Sequence, residues 1–310
     1  MLHNFEQEVK NLEIQHQLRQ LQIVESPADA TISVKGRKLI SMASNNYLGL
    51  ANHPALKQAA IEAIQQWGVG AGSARLISGT MIPHDQLEKN LAQFKQVEAA
   101  LTFGTGYTAN IGLIPSLIGQ DGLILADRYC HASLIEACRL AKAKVRIFHH
   151  NDVEHLETLL KKREKVCPTL IITEGVFSME GDLAPLPYLF KLSQTYDATL
   201  VVDDAHGTGV MGTNGRGTIE HFSLNPKDII QIGTFSKAIG TSGGYVAATN
   251  SLKNYLINFS KAFIFTTAQP PAIAAATSTA IQIIQNEPTC RHRLWENRNF
   301  LYSELKNTGF

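Results

Sequence analysis

The 310-residue sequence predicts an α/β fold: a mostly parallel central sheet with helices on both faces, preceded by an N-terminal arm and followed by the start of a smaller C-terminal lobe. Short apolar runs at Leu123 to Ala126, Val145 to Phe148, Leu170 to Thr173 and Leu200 to Val202 alternate with helical stretches such as HASLIEACRLAKA and LPYLFKLSQTYD. Continuous apolar runs of this length are what parallel strands covered on both faces require. Hydrophobic residues make up 44% and charged ones 18%, with a formal net charge of +1. No acidic or basic excess points to nucleic acid or a membrane surface, so a small-molecule partner is expected. Glycine-rich turns follow several of the strand runs, and ligands of such sheets collect at the carboxyl ends of the strands.

The elements follow in order. Phe5, Val9, Leu12, Leu18 and Leu21 recur at helical steps and predict an amphipathic first helix. Ala30 to Met42 alternates around Lys35-Gly36-Arg37 as a hairpin would. ASNNYLGLANHP (43–54) is a polar turn leading into a helix from Pro54 to Trp67, and Pro83 opens another before the strand EAALTF (98–103). Ile229, Ile230 and Ile232 predict a further buried strand, and the chain after Pro270-Pro271 reads as helical through Trp295 toward Leu305. The expected division is an arm over 1–50, a large α/β domain over 51–270, and the start of a smaller domain over 271–310.

Cys130, Cys138, Cys167 and Cys290 form no CxxC pair and no disulfide-dense pattern, which fits a reducing cytoplasm and argues against zinc; no metal is expected. MLHNFEQEVKNLEIQ has neither a signal-peptide core nor a transit-peptide bias, and no run of about 18 apolar residues spans a bilayer.

Three stretches carry chemistry. In DIIQIGTFSKAIGTSGG (228–244) an apolar run stops at a polar turn holding Lys237. A lysine screened from water beyond a strand end can lose its proton near neutral pH and form a Schiff base with an aldehyde; a solvated loop lysine is the alternative. After EAALTF, the text GTGYTAN places Gly104, Gly106 and Ala109 in a G-x-G-x-x-A pattern, with Asp127 where a ribose-binding acid would stand. A dinucleotide site, a phosphate cradle of another kind and a structural turn all remain open, because a glycine turn at a helix N-terminus binds phosphate whoever owns it. In ATLVVDDAHGTGVMGTNGRG (198–217) a buried strand ends in two carboxylates and a histidine, with Asp203 and His206 three apart. Asp203 reads as a helix cap, a metal ligand lacking a third partner, or an ion-pair partner for a protonated heterocyclic nitrogen. Phosphate cradle, pyridinium partner and aldehyde-accepting lysine, in that order, are the requirements of pyridoxal phosphate chemistry.

SNNYLGL (44–50), HASLIEA (131–137), FHHND (148–152), TEGVFSMEGDLAPL (173–186), VVDDAHGTGVMG (201–212), GRG (215–217) and TFSK (234–237) resemble the α-oxoamine synthase family of fold type I pyridoxal phosphate enzymes over nearly the whole chain. The resemblance implies that Lys237 forms the internal aldimine and Asp203 pairs with the pyridine nitrogen. It places His206 and Ser178 near the cofactor's phenolic oxygen, and stacks His131 on the ring, although alone that histidine reads equally as a helix cap or core residue. Gly106 and Tyr107 would hold the phosphate, helped by Thr234 and by Thr266 or Thr267 from a second subunit, which implies a homodimer. Asn45 would lie near the amino-acid carboxylate, with turn formation as its alternative, and Glu174 beside the same pocket. Where this chain has GAGSARL (70–76), relatives often read GSGGSRL.

The implied activity is decarboxylative condensation of L-alanine with a pimeloyl thioester, carried on coenzyme A or an acyl carrier protein, toward the biotin ring. Rivals within the class join glycine to acetyl- or succinyl-CoA. From other classes come a nicotinamide-dependent dehydrogenase built on GTGYTA and a non-catalytic subunit of the same fold. Family members carry a further small lobe with a carboxylate-binding arginine, so a chain ending at Gly309-Phe310 is expected to be a truncated form, with Arg19 or Arg75 as substitutes.

Overall fold

The structure, a computed structural model that describes residues 4–164 and 167–309, divides between Ser44 and Asn45 into two units. In the first, Asn4 Oδ1 accepts from Gln7 N and starts the helix Phe5–Ile14. That helix is shorter than its apolar spacing predicts. His16 adopts φ +56° and Gln17 N donates back to Leu12 O at 2.8 Å, closing the last turn, so Leu18 and Leu21 lie beyond it. Strands β1 (Thr31–Val34) and β2 (Arg37–Ile40) pair antiparallel with Val34 opposite Arg37. Lys35 and Gly36 both have positive φ, the conformation a two-residue hairpin turn with the right twist needs.

The second unit begins with the helix Pro54–Trp67, capped by His53 and stopped at Gly68, as the sequence predicts. The helix Ile82–Lys95, with Pro83 in its first turn, leads to a seven-stranded sheet. Its strands are β3 (Ala99–Phe103), β4 (Leu123–Asp127), β5 (Lys144–Phe148), β6 (Thr169–Glu174), β7 (Thr199–Asp203), β8 (Ile230–Thr234) and β9 (Gly244–Ala248). The order is β3-β9-β8-β7-β6-β4-β5, parallel except that β9 runs antiparallel to both β3 and β8.

Successive side chains of a strand point to opposite faces, and both faces are covered except at the edge strand β5, which is exposed from Lys144 to Ile147 and so is not the doubly covered strand that its apolar residues predict. Ile124, Ile172, Val201 and Ile232 pack against Leu113 and Ile114 of the helix Gly106–Leu117 and Leu134 of the helix Ala132–Leu140. Their neighbours Leu125, Ile171, Leu200 and Val202 pack on the other side against Leu156, Leu160 and Leu189 of the helices Val153–Lys161 and Leu186–Thr195. A third cluster joins Leu56, Leu87 and Leu91 to Ala280 and Ile281 of the helix Pro271–Asn286. The helical run expected after Pro271 is two helices, because Pro288 breaks it before Thr289–Asn307. Among the described residues no helix is long and apolar enough to cross a membrane.

Candidate active site

The strands β3, β4, β6, β7 and β8 run the same way, so their carboxyl ends gather at one edge of the sheet. There a 220 Å³ cavity is lined by Gly106 and Tyr107 after β3, His131 after β4, Glu174 ending β6, Asp203 ending β7, His206 beyond it, and Thr234 and Lys237 at and after the end of β8. Among the described residues larger cavities occur, but a 440 Å³ cleft lined by Lys144, Arg146 and Lys162 and a 480 Å³ one lined by Pro115 and Phe259 are lined by no histidine.

One end of the cavity is built for an anion. Thr105 Oγ1 accepts from Thr108 N at 3.0 Å while Thr108 Oγ1 accepts from Thr105 N at 2.9 Å, a reciprocal cap on the helix Gly106–Leu117. The amides of Gly106 and Tyr107 stand at its positive end, where a helix has no internal acceptors for them. The backbone comes close here. A Cβ on Gly106 would meet Thr234 Cβ at 3.1 Å, and one on Gly244 would lie 2.4 Å from Thr105 O. Thr234 Oγ1 donates to Gly243 O and lies 2.8 Å from Ser236 Oγ, a hydroxyl that also lines the cavity.

Lys237 is held by a turn whose Gly240 (φ +77°) would place a Cβ 2.5 Å from Ala51 N. Burial lowers the ammonium's pKa, with Asp203 and Glu174 opposing the shift. Its Nζ is 2.6 Å from His206 Nε2. Burial, then the charges of Lys237 and His131, bring His206 down to about 4, so its ring is neutral at pH 7.

Asp203 is nearly buried, accepting from Asn110 Nδ2 at 3.0 Å on one oxygen and Ala205 N at 3.1 Å on the other. Asn110 also donates to Ser133 Oγ, which lies 2.7 Å from His131 Nδ1. His131 caps its helix, and its backbone N–H donates to Glu174 Oε1 at 2.6 Å. Burial and the neighbouring Asp203 push Glu174 up to about 8.

The loop bearing His206 is anchored beneath the cavity. Asp204, fully buried, receives Lys95 Nζ at 3.2 Å, Thr218 Oγ1 at 2.7 Å and Thr218 N at 3.1 Å. Cβ atoms on Gly175, Gly207 and Gly217 would each come within 2.6 Å of its carboxylate, so these glycines make room for it.

The dinucleotide alternative fails. Asp127 is fully buried and accepts from Tyr129 N, Asn151 N and His150, which fixes the β4–β5 connection and leaves nothing for a ribose. β3 is an edge strand paired only with the antiparallel β9, not the central parallel strand such a site needs. Arg75 is likewise committed: it pairs with Glu88 at 2.9 Å and bonds Thr80 and Thr102.

Five other sequence candidates lie outside this cavity. Ser178 is exposed and lines an adjoining, mostly apolar 240 Å³ cavity that shares His206 and is also lined by Tyr47. Thr266 and Thr267 are exposed, with Thr267 bridged to Ala74. Asn45 reaches His206 only through Tyr47. Arg19 is an exposed residue of the first unit. Tyr47, Asn110, Ser133 and Ser236 went unpredicted. Asn110 carried a signal, since it falls one helical turn after Gly106, a polar side chain on a buried face.

The sequence profile of the family described as aminotransferase class I and II matches residues 37–310. An 8-amino-7-oxononanoate synthase of Thermoanaerobacter pseudethanolicus is 48% identical over 293 residues, 94% of this chain and 74% of that protein. Among solved structures, a serine palmitoyltransferase from S. paucimobilis with a bound PLP–myriocin aldimine superposes with a TM-score of 0.93 at 32% identity, covering 99% of this chain and 77% of that one. An 8-amino-7-oxononanoate synthase from Francisella tularensis gives a TM-score of 0.74 at 32% identity, over 86% and 75% of the respective chains.

Proposed function

This chain belongs to the aminotransferase class I and II family, and from that premise we propose that it is a pyridoxal phosphate-dependent acyltransferase joining L-alanine to a pimeloyl thioester. The products are 8-amino-7-oxononanoate, carbon dioxide and the free thiol, a step of biotin biosynthesis. The observation that carries this reading is the convergence of Lys237, His206 and Asp203 on a cavity closed at one end by a helix N-terminus.

The residues present fit the cofactor. A cradle without Cβ atoms at Gly106 and Gly244 leaves room for a phosphate against the helix amides, with the Thr234 and Ser236 hydroxyls alongside. When bound, the cofactor supplies an electron sink for the pair released at the amino-acid α-carbon. Lys237 is the attachment point, and its Nζ, lowered in pKa by burial, is the base that receives the α-proton. Asp203, oriented by Asn110 and Ala205 N, holds a proton on the heterocyclic nitrogen through opposite charge. His206, with Ser178 from the adjoining cavity, would serve the phenolic oxygen, His131 would cover the ring, and Asn45 and Glu174 would serve the amino-acid end.

In the overall reaction a carbon–carbon bond forms between the alanine α-carbon and the thioester carbonyl, the carbon–sulfur bond breaks, and the carboxylate leaves as carbon dioxide. Thr266 or Thr267, exposed within one chain, would complete the phosphate site of a partner in a homodimer. The test supplies alanine with pimeloyl-CoA or pimeloyl-acyl carrier protein, and glycine with acetyl- or succinyl-CoA, and identifies products by mass. The alanine–pimeloyl product should dominate. Turnover with the glycine pairs alone would overturn the substrate assignment.

A further inference from the structure

Tyr47 sits in the SNNYLGL turn, where its N–H donates to Asn45 O at 2.8 Å. Its ring is half-buried, and burial raises the hydroxyl's pKa, so it remains a protonated O–H. That hydroxyl donates to Asn45 Oδ1 at 3.1 Å and lies 2.7 Å from His206 Nδ1. The other nitrogen of His206, Nε2, lies 2.6 Å from Lys237 Nζ. Asn45, Tyr47, His206 and Lys237 therefore form one continuous chain of hydrogen bonds ending at the reactive amine.

Its direction follows from the hydrogen bond of Tyr47 to Asn45. A phenol has one hydrogen to give, and an amide oxygen only accepts, so the Tyr47 hydrogen is used on Asn45. With the Tyr47 hydrogen on Asn45, the contact with Nδ1 runs the other way, from His206 N–H to the phenolic oxygen. A neutral imidazole carries a single N–H, which leaves Nε2 with a lone pair, and that lone pair accepts from Lys237.

We propose that Tyr47 is a positioning residue that fixes the tautomer of His206, placing the N–H on Nδ1 and an Nε2 lone pair against the Lys237 amine. One Lys237 N–H is thereby directed at Nε2, and the nitrogen, once it has lost its extra proton, has a lone pair for an aldehyde carbon, where a C=N bond forms as water leaves. This consequence rests on the reading of Lys237 given above, whereas the proton arrangement belongs to the cofactor-free chain itself.

Tyr47→Phe keeps the ring and its packing and deletes only the oxygen, so a merely structural Tyr47 predicts no change at His206. The measurement is two-bond ¹H–¹⁵N NMR of ¹⁵N-histidine-labelled, cofactor-free protein, with His206→Asn assigning the signals. Wild type should show a protonated Nδ1 and an unprotonated Nε2, and Tyr47→Phe should move the proton toward Nε2. In parallel, the rate of covalent pyridoxal phosphate attachment should fall roughly fivefold, as expected for one neutral hydrogen bond. An Nε2-protonated His206 in wild type, or an unchanged tautomer in Tyr47→Phe, would overturn the proposal. The expected tautomers with no attachment at Lys237 in wild type would overturn the cofactor reading and uphold the role of Tyr47.

Discussion

Lys95→Met should be among the most destabilising single changes in the second unit. Lys95 and Asp204 are both fully buried, 3.2 Å apart. The ammonium also bonds Thr208 Oγ1 and Arg216 O and lies 5.8 Å from the centre of the Tyr245 ring. Methionine matches the aliphatic stem but leaves the Asp204 carboxylate charged, buried and without a counter-ion. Breaking a buried pair from one side costs about 3–5 kcal/mol. Thr218 still donates twice to the carboxylate, which places the expectation nearer the lower figure. Asp204→Asn, which fits the space left by Gly207 and Gly217, should cost a similar amount by stranding the ammonium. The double variant removes both charges, so it should be more stable than the two single costs summed, by about 1–3 kcal/mol of coupling. Urea unfolding followed by circular dichroism gives all four corners of the cycle. A cost below about 1 kcal/mol for Lys95→Met, the range of an exposed pair, or strict additivity, would refute the anchoring role.

Asp203→Asn should still allow pyridoxal phosphate to attach at Lys237, while turnover falls by about 10²–10³-fold as for loss of one preorganised electrostatic group; steady-state rates at matched cofactor loading check this. The stability of the cofactor-free chain should depend on pH through two groups of opposite sign. Folded Glu174 keeps a proton up to about pH 8 that the unfolded carboxyl releases near 4.5, so its contribution declines across that window as pH rises. Folded His206 stays neutral down to about 4 where the unfolded ring protonates near 6.5, so its contribution declines as pH falls below 6.5. The two offset each other between 4.5 and 6.5, leaving a net loss of stability from about 6.5 to 8. Melting curves across this range should show that loss in wild type and its absence in Glu174→Gln.

The α/β architecture was legible because β4, β6 and β7 are buried on both faces, so apolar runs such as Leu123 to Ala126 had no polar alternation to confuse them, whereas the edge strand β5 is exposed from Lys144 to Ile147. Lys237, Asp203 and Gly106 were legible because each stands at a strand end or helix start, positions that turn chemistry marks. β9 was hidden: Gly244 reads as loop, yet its missing Cβ is what lets the strand pass beside Thr105. The end of the first helix carried no glycine or proline, only a left-handed His16. Asp127 left the dinucleotide alternative open because a carboxylate closing a strand looks the same whether it faces a ligand or a histidine 23 residues away. Tyr47 could not be found at all, since its contact to His206 spans 159 residues and nothing local encodes it.

The proposed function stands on Lys237 as the amine that captures the cofactor. The direct measurement is absorbance of the purified protein on adding pyridoxal phosphate, then borohydride reduction and peptide mass mapping. A visible band that reduction abolishes, with the pyridoxyl mass on the peptide containing Lys237 and none in Lys237→Ala, is the predicted result. Label on another lysine, or equal labelling in Lys237→Ala, would contradict it.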